Sequence, residues 1–237
     1  MPSISIIIPV FNESDLIQNV CYKLVSDLNK SEQISDFEII LVENGSSDNS
    51  PILIEELTKK NNRVIAFHLP NPDYGLALKT GIQNAKNEFI INFSVDFVDL
   101  NFLYEALYDI EKCDIVLGSY NIEFSDQRSI IRRIGSSVYN SLSSFILGED
   151  VKGSHGFKLM KSKIAKQISE ECYMTKDIFD DEMIYRMIKN KHKIIKKPLI
   201  FNEIRKPRSG IIKRGMRAFV LLIYLKLLII FKYKASN

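Results

Sequence analysis

Disulfide and metal chemistry have little to work with in this chain. Its 237 residues hold three cysteines, at 21, 113 and 172, with no CxxC pair, and three widely separated histidines, at 68, 155 and 192. A disulfide scaffold, a cysteine-rich zinc site and a histidine metal centre are therefore not expected. No N-terminal apolar stretch has the form of a secretory signal, and with the unpaired cysteines this places the protein in a reducing compartment. The phosphate-loop pattern GxxxxGK[ST] and the dinucleotide fingerprint GxGxxG are missing, and no internal repeat is found. The common ATPase and dehydrogenase plans lose support. A composition of 46% hydrophobic and 26% charged residues leaves no room for a collagen-like or globally disordered chain, and the length suits one large α/β domain.

The net charge of +3 conceals an asymmetry. Nine of the 32 basic residues but one of the 29 acidic ones fall from Glu203 onward, so the first 202 residues carry 23 bases against 28 acids. A basic tail suits nucleic acid, anionic lipid or a phosphorylated substrate, and its apolar content decides among them. Ala218 to Phe231 reads AFVLLIYLKLLIIF, with Lys226 its one charge. As a helix this stretch reaches about 21 Å, short of the roughly 30 Å hydrocarbon core, so a membrane span is not expected. Apolar on every face and basic at both ends, it is expected to lie in the headgroup region, the alternative being a helix packed on the domain or on a second copy. Nucleic acid is not an expected partner, because aromatic residues do not interleave the charges.

Strand and helix patterns alternate. Ser3 to Ile8 is a β-branched run that reads as a central strand. Asn12 to Asp15 offers capping groups for a helix whose apolar residues recur from Leu16 through Asn29. The pattern repeats as strand Phe37 to Val42 and helix Ser50 to Lys60, then strand Arg63 to Phe67 and helix Leu76 to Ala85, then strand Phe89 to Phe93. Alternation of this kind predicts a doubly wound, mostly parallel sheet with helices on both faces. In such a sheet the loops at the carboxyl ends of the strands form the ligand crevice, and here they carry Asn12/Glu13, Glu43/Asn44/Asp48 and Ser94/Asp96. Beyond a strand at Asp114 to Gly118 regularity weakens, leaving helices at Ser129 to Leu147 and Asp180 to Asn190 around a loop from Gly148 to Phe157. This half is expected to build the acceptor side.

Three segments in order, Ser5 to Glu13 (SIIIPVFNE), Glu38 to Asp48 (EIILVENGSSD) and Gly75 to Gly81 (GLALKTG), resemble the motifs of family 2 glycosyltransferases, and most resemble the dolichyl- or polyprenyl-phosphate sugar synthases. The likeness continues through Gly156-Phe157-Lys158, Phe179 to Glu182 and Arg205 to Ser209 and covers roughly residues 3 to 210. The resemblance implies a GT-A (Rossmann-like) domain over residues 1–210, followed by a membrane-associating or packing helix over 211–237. It implies sugar transfer, inverting in a single displacement, from a nucleotide-diphosphate sugar to polyprenyl or dolichyl phosphate by a peripheral protein at the cytoplasmic membrane face. By resemblance, Pro9, Phe11, Asn12, Glu13, Glu43, Asn44, Ser46, Asp48, Lys79, Ser94 and Val95 line the nucleotide site. Asp96 holds Mg²⁺ or Mn²⁺. Arg132, Arg133, His155, Arg205, Lys206, Arg208 and Ser209 meet the diphosphate or the acceptor phosphate, and Asp180 and Glu182, with Asp96, are the catalytic acids. A homodimer through the C-terminal helix is a further expectation.

Local structure offers a plainer reading of the same residues. Asn12 to Asp15 and Asn44 to Asp48 suit a cap and a turn, Asp96 a strand end, Arg132 and Arg133 a solvated helix face, and Asp180 to Glu182 the positive end of a helix dipole. The chain also departs from the family pattern. Glu43 stands in place of Asp, Ser94-Val95-Asp96 in place of Asp-x-Asp, Val98 in place of Gln, Tyr120 in place of Arg and Gly153 in place of Asp. These changes motivate a second reading, a non-catalytic homologue that retains nucleotide-sugar or lipid binding.

Overall fold

The computed structural model describes the backbone of residues 1–120, 130–199 and 211–235 and the side chains of residues 1–119, 133–199 and 215–231. β-Branched residues on both faces make the first strand central. β1 (Ser3–Val10) lies between parallel β2 (Asp36–Asn44) and β4 (Phe89–Asn92), and β3 (Val64–Leu69) extends the sheet beyond β2. Ile4, Ile6 and Ile8 enter one core cluster and Ile7 the other, all fully buried. The intervening helices α1 (Ile17–Asn29), α2 (Ser50–Lys60) and α3 (Tyr74–Asn84) fall within two residues of the apolar periodicity that predicts them.

After β4 the chain forms α4 (Leu100–Asp109), β5 (Ile115–Tyr120), α5 (Ile130–Leu147), β6 (Lys158–Lys161), α6 (Ser162–Glu171), α7 (Phe179–Lys189), β7 (Ile194–Leu199) and α8 (Ile211–Ala235). The seven described strands run in the order β3-β2-β1-β4-β6-β5-β7. Buried residues of α1, α2 and α4 cover one face, while α3, α6, α7 and α8 cover the other. The sheet is thus mostly parallel with helices on both sides. β6 alone is reversed, pairing antiparallel with β4 and β5, with Ile91 opposite Leu159. Its start therefore lies at the carboxyl edge of β4.

Several expectations change. α1 begins at Ile17 with Leu16 in the N-cap position and no side-chain cap, so Asn12 to Asp15 do not cap it. Asn12 takes a positive φ of 55° and its side chain turns to the neighbouring loop. The helix α4, the strands β6 and β7 and the helix α6 lie where no regular element is expected. β6 is four residues long with a lysine at each end, and β7 is an edge strand carrying Pro198, so neither shows the apolar run of a buried strand. In α6 only Ala165, Ile168 and Ser169 are buried. α8 starts before the apolar stretch and turns Ala218, Leu222 and Leu225 into the core while Met216, Val220, Tyr224 and Phe231 remain exposed. Among the described residues no helix is long and apolar enough to cross a membrane.

Candidate functional site

The loops that follow β1 and β2 are stitched to each other. Asn12 N–H donates to Ser46 Oγ (3.0 Å), Glu13 N–H to Ser50 Oγ (2.8 Å) and Ser14 N–H to Asp48 Oδ2 (3.0 Å), while Asn12 Oδ1 accepts Ser47 N–H (2.8 Å). Asp48 also accepts Ser50 N–H (2.9 Å). Burial works against its charge, but these bonds from Ser50 and Ser14 hold the carboxyl well below its usual value, at about 2. Asn12, Ser46 and Asp48 thus shape the crevice wall by holding two loops together.

Glu43 and Asn44 close β2 and are almost wholly buried. Glu43 Oε1 accepts Ser46 N–H, and its other oxygen lies 3.7 Å from His68 Nδ1 on β3. Asn44 Oδ1 accepts Asp73 N–H (2.6 Å), tying in the loop before α3. Between them and Ser46, Gly45 has φ 69°, where a Cβ would come 2.9 Å from the Asn71 backbone. Pro9, Phe11 and Glu13 are partly buried at the same edge. Lys79, on α3, donates to Cys172 O at the end of α6 (3.2 Å).

Ser94 and Phe97 bridge each other, which puts Val95 and Asp96 at the tip of a tight turn after β4. Val95 is buried in the core, whereas Ser94 is exposed and Asp96 partly so. Phe157 braces the turn from β6, with ring centroids 4.8 Å from Phe93 and 4.6 Å from Phe97. Asp96 also borders a cavity of about 360 Å³ on the α1 side, with Lys23, Asp27 and Asp99. The β2 loop residues do not line it. Among the described residues no cluster of three metal-ligating side chains exists, and no hydrogen bond or ion pair occupies the Asp96 carboxylate. One free carboxylate fits Mg²⁺ in the way that ion is held by one or two carboxylates with substrate phosphates and waters completing the shell.

At the amino end of β6 lies a buried ionic cluster. Asp180 and Asp181, in the first turn of α7, have no exposed surface, and Lys158 is 1% exposed. Lys158 Nζ sits 2.9 Å from Asp180 Oδ1 and donates to Ser154 O (2.7 Å) and Gly156 O (2.9 Å). Burial opposes the Asp180 charge, but the Lys158 ammonium and the His155 ring outweigh it and lower its pKa. Asp181 accepts from Tyr139 Oη (2.5 Å), Ser154 Oγ (2.8 Å) and His155 Nε2 (3.1 Å). The His155 side chain is 40% exposed, and its Nδ1 lies 3.4 Å from Asp180 Oδ2. Burial disfavours the charged ring, yet the two carboxylates prevail and raise its pKa.

Glu182 is fully buried and spent on structure, accepting Tyr173 N–H (2.9 Å), Met174 N–H (2.7 Å) and the Arg186 guanidinium (2.7 and 2.8 Å). It enters the site as a support for the turn before α7 rather than as a group open to a ligand. Arg133 is partly buried near the start of α5. The side chain of Arg132 and residues Arg205, Lys206, Arg208 and Ser209 lie outside the described residues. Nothing in the sequence marks Asp181, Tyr139 or Lys158 as partners. Asp181 stood between two named acids, and Lys158 closed a quoted motif, but neither spacing nor polarity showed that they meet.

Residues 5–169 match the family model of glycosyl transferase family 2. The chain is 26% identical over 200 residues to a dolichyl-phosphate beta-glucosyltransferase of Dictyostelium discoideum, covering 77% of this chain and 61% of that protein. It is 30% identical over 127 residues to the glycosyltransferase EpsH of Bacillus subtilis (strain 168), covering 53% of this chain and 36% of that one. The chain therefore spans about a third to three fifths of the length of these relatives. In fold it is similar to glucosyl-3-phosphoglycerate synthase from Mycobacterium tuberculosis in complex with UDP, with a TM-score of 0.68 at 14% identity over 95% of this chain and 80% of that one. A second structure of that enzyme, with Mn²⁺, UDP and glucosyl-3-phosphoglycerate, gives 0.64 at 13% identity over 95% and 80%.

Proposed function

The chain belongs to glycosyl transferase family 2, and from that membership we propose that it transfers a sugar from a nucleotide-diphosphate donor to a polyprenyl or dolichyl phosphate. The observation that carries this reading is that β1, β2 and β4 are parallel neighbours, so the loops that follow them, with Phe11 to Glu13, Glu43/Asn44 and Asp96, leave the same edge of the sheet. The dolichyl-phosphate relative supports the acceptor class.

In this reading Glu43 and Asn44, with Pro9 and Phe11, receive base and ribose, and the stitched loops keep that wall rigid. Asp96 would hold a divalent cation at this edge, and a bound cation would supply charge neutralisation for the nucleoside diphosphate as it leaves. A phosphate acceptor is already ionised and needs little help from a base. Attack on the anomeric carbon in one displacement inverts its configuration. Asp180, ion-paired to Lys158, contributes by setting the charge beside the acceptor. The lipid tail is served by the outer surfaces of α5 and α8, which expose Ile134, Val138, Phe145, Val220, Ile223 and Phe231. Lys226, the one charge in the apolar stretch, turns inward to donate to Leu147 O at the end of α5 (3.0 Å). The outward face of that stretch is thereby cleared of charge for peripheral contact with a bilayer.

A panel of UDP- and GDP-sugars, incubated with the protein on vesicles, Mg²⁺ or Mn²⁺ and a short polyprenyl phosphate, tests the reading by mass spectrometry of the lipid product. A glycolipid of inverted anomeric configuration is expected, and Asp96→Ala is expected to lower turnover by about 10²-fold or more. Donor binding without product from any of these acceptors overturns the proposal in favour of the non-catalytic reading, which Ser94 at the Asp-x-Asp position favours.

A further inference from the structure

Asp181 has no role among the acids that the family motif supplies, yet it is the hub of the buried cluster. It accepts from three side chains of two elements: Tyr139 on α5, and Ser154 and His155 on the loop that leads into β6. Among the charged members of that cluster His155 is the one that reaches solvent, at 40% exposure against 0% for both aspartates and 2% for the Lys158 side chain, while Tyr139 is partly buried. Each ring nitrogen faces a carboxylate oxygen, Nδ1 toward Asp180 at 3.4 Å and Nε2 toward Asp181 at 3.1 Å. The Nε2 contact is a hydrogen bond, while Nδ1 and Asp180 Oδ2 meet as an ion contact, and it is the nearness of two carboxylates that favours the protonated ring. Charge balance agrees. Two buried carboxylates meet one ammonium, Lys158, and the ring supplies the second positive charge. Among the described residues the ionisable groups around the ring are Asp180 and Asp181 on α7, Lys158 on β6 and Tyr139 on α5, whose ring centroid is 5.5 Å away.

The location gives this cation a task. Because β6 is antiparallel to β4, the 153–157 loop abuts the Ser94–Phe97 turn, as the Phe157 contacts show. On the other side Tyr139 belongs to α5, the helix that exposes Ile134, Val138 and Phe145. The cluster lies between an apolar helix face and the Asp96 turn, where the head of an anionic lipid would arrive. We propose that Asp181 is a positioning residue that holds His155 as a fixed cationic contact for a phosphate oxygen of the acceptor. The inference rests on the function proposed above, and it adds that His155 acts as a charge and not as a base, with Asp181 the group that keeps it so.

Two arms test it. In the first, the His155 ring is followed by NMR across pH in wild type and Asp181→Asn, with His155→Gln identifying its signal among the three histidines. The wild-type ring is expected to stay protonated through about pH 8, and the Asp181→Asn ring to titrate between about pH 6 and about pH 8. Equal titration in the two proteins overturns the positioning role. In the second arm, His155→Gln, with its fold verified by circular dichroism because the ring balances a buried carboxylate, is compared with wild type and His155→Arg. The acceptor KM for a short polyprenyl phosphate is expected to rise about tenfold in His155→Gln and to be largely restored in His155→Arg, with UDP binding unchanged. An unchanged acceptor KM, or a change confined to donor KM, overturns the acceptor contact. If wild type makes no glycolipid, the proposed function falls, while the titration still judges the Asp181–His155 pairing.

Discussion

Asp48 shows how a side chain in a polar loop earns structural weight. Its carboxylate accepts backbone N–H groups from the β1 loop and from the start of α2, and its pKa sits near 2. A folded-state value below the unfolded one, about 3.9, means stability that is present above the unfolded pKa and lost as pH falls through the folded one. Asp48→Asn is therefore expected to cost roughly 1 kcal/mol at neutral pH, after allowance for solvent screening. In urea titrations at several pH values the gap between wild type and variant should shrink from about pH 4 to about pH 2. A gap that stays constant with pH would assign the loss to packing instead of charge. Asp180 lies at the opposite extreme, fully buried, with its two oxygens balanced by ion contacts to Lys158 and His155. Lys158→Met leaves that carboxylate without its main counter-charge and is expected to destabilise by about 3 to 5 kcal/mol in chemical denaturation.

Among the elements, the loop 148–157 is the one whose shape is set by contact with another element instead of by its own sequence. Gly156 packs so tightly on β5 that a Cβ there would fall 1.6 Å from Gly118 O. Gly156→Ala is expected to cost about 3 kcal/mol in denaturant midpoint and to disturb Lys158, which donates to Gly156 O. The same loop explains why β6 escapes a reading by periodicity. Its four residues are specified by neighbours, with Lys158 N–H donating to Asn92 Oδ1 and Phe157 wedged against Phe93 and Phe97. The parallel half is the reverse case. β1, β2 and their helices carry uninterrupted Ile, Leu and Val runs and 3.6-residue periods long enough to be read alone.

For the whole molecule, the uneven charge and the exposed apolar surface of α5 and α8 act together. Because the chain from Ile204 to Asn237 holds no acidic residue, a second copy docked helix to helix would set like charges against each other, whereas an anionic bilayer complements them. The protein is expected to float with anionic vesicles and to bind neutral ones less, with Val220→Asp and Ile223→Asp together reducing binding about tenfold or more. Equal recovery of variant and wild type, or salt-resistant dimers in sedimentation, would assign the face to self-association.

Composition, motif order and apolar period were sufficient to establish the α/β class and the mostly parallel sheet with helices on both faces, because those properties follow from local chain geometry repeated over several turns and strands. Only the tertiary structure decided which acids are open and which are spent. Among the described residues the Asp96 carboxylate has no hydrogen bond or ion pair, Glu182 is consumed by the Tyr173–Met174 turn and Arg186, and Asp181 becomes the hub. Hydrogen-bond partners more than 25 residues apart, such as Tyr139 and His155 for Asp181, leave no periodic trace in the chain. Burial, which turns a carboxylate from a reactive group into a strut, belongs to the packed assembly of elements and not to any one of them.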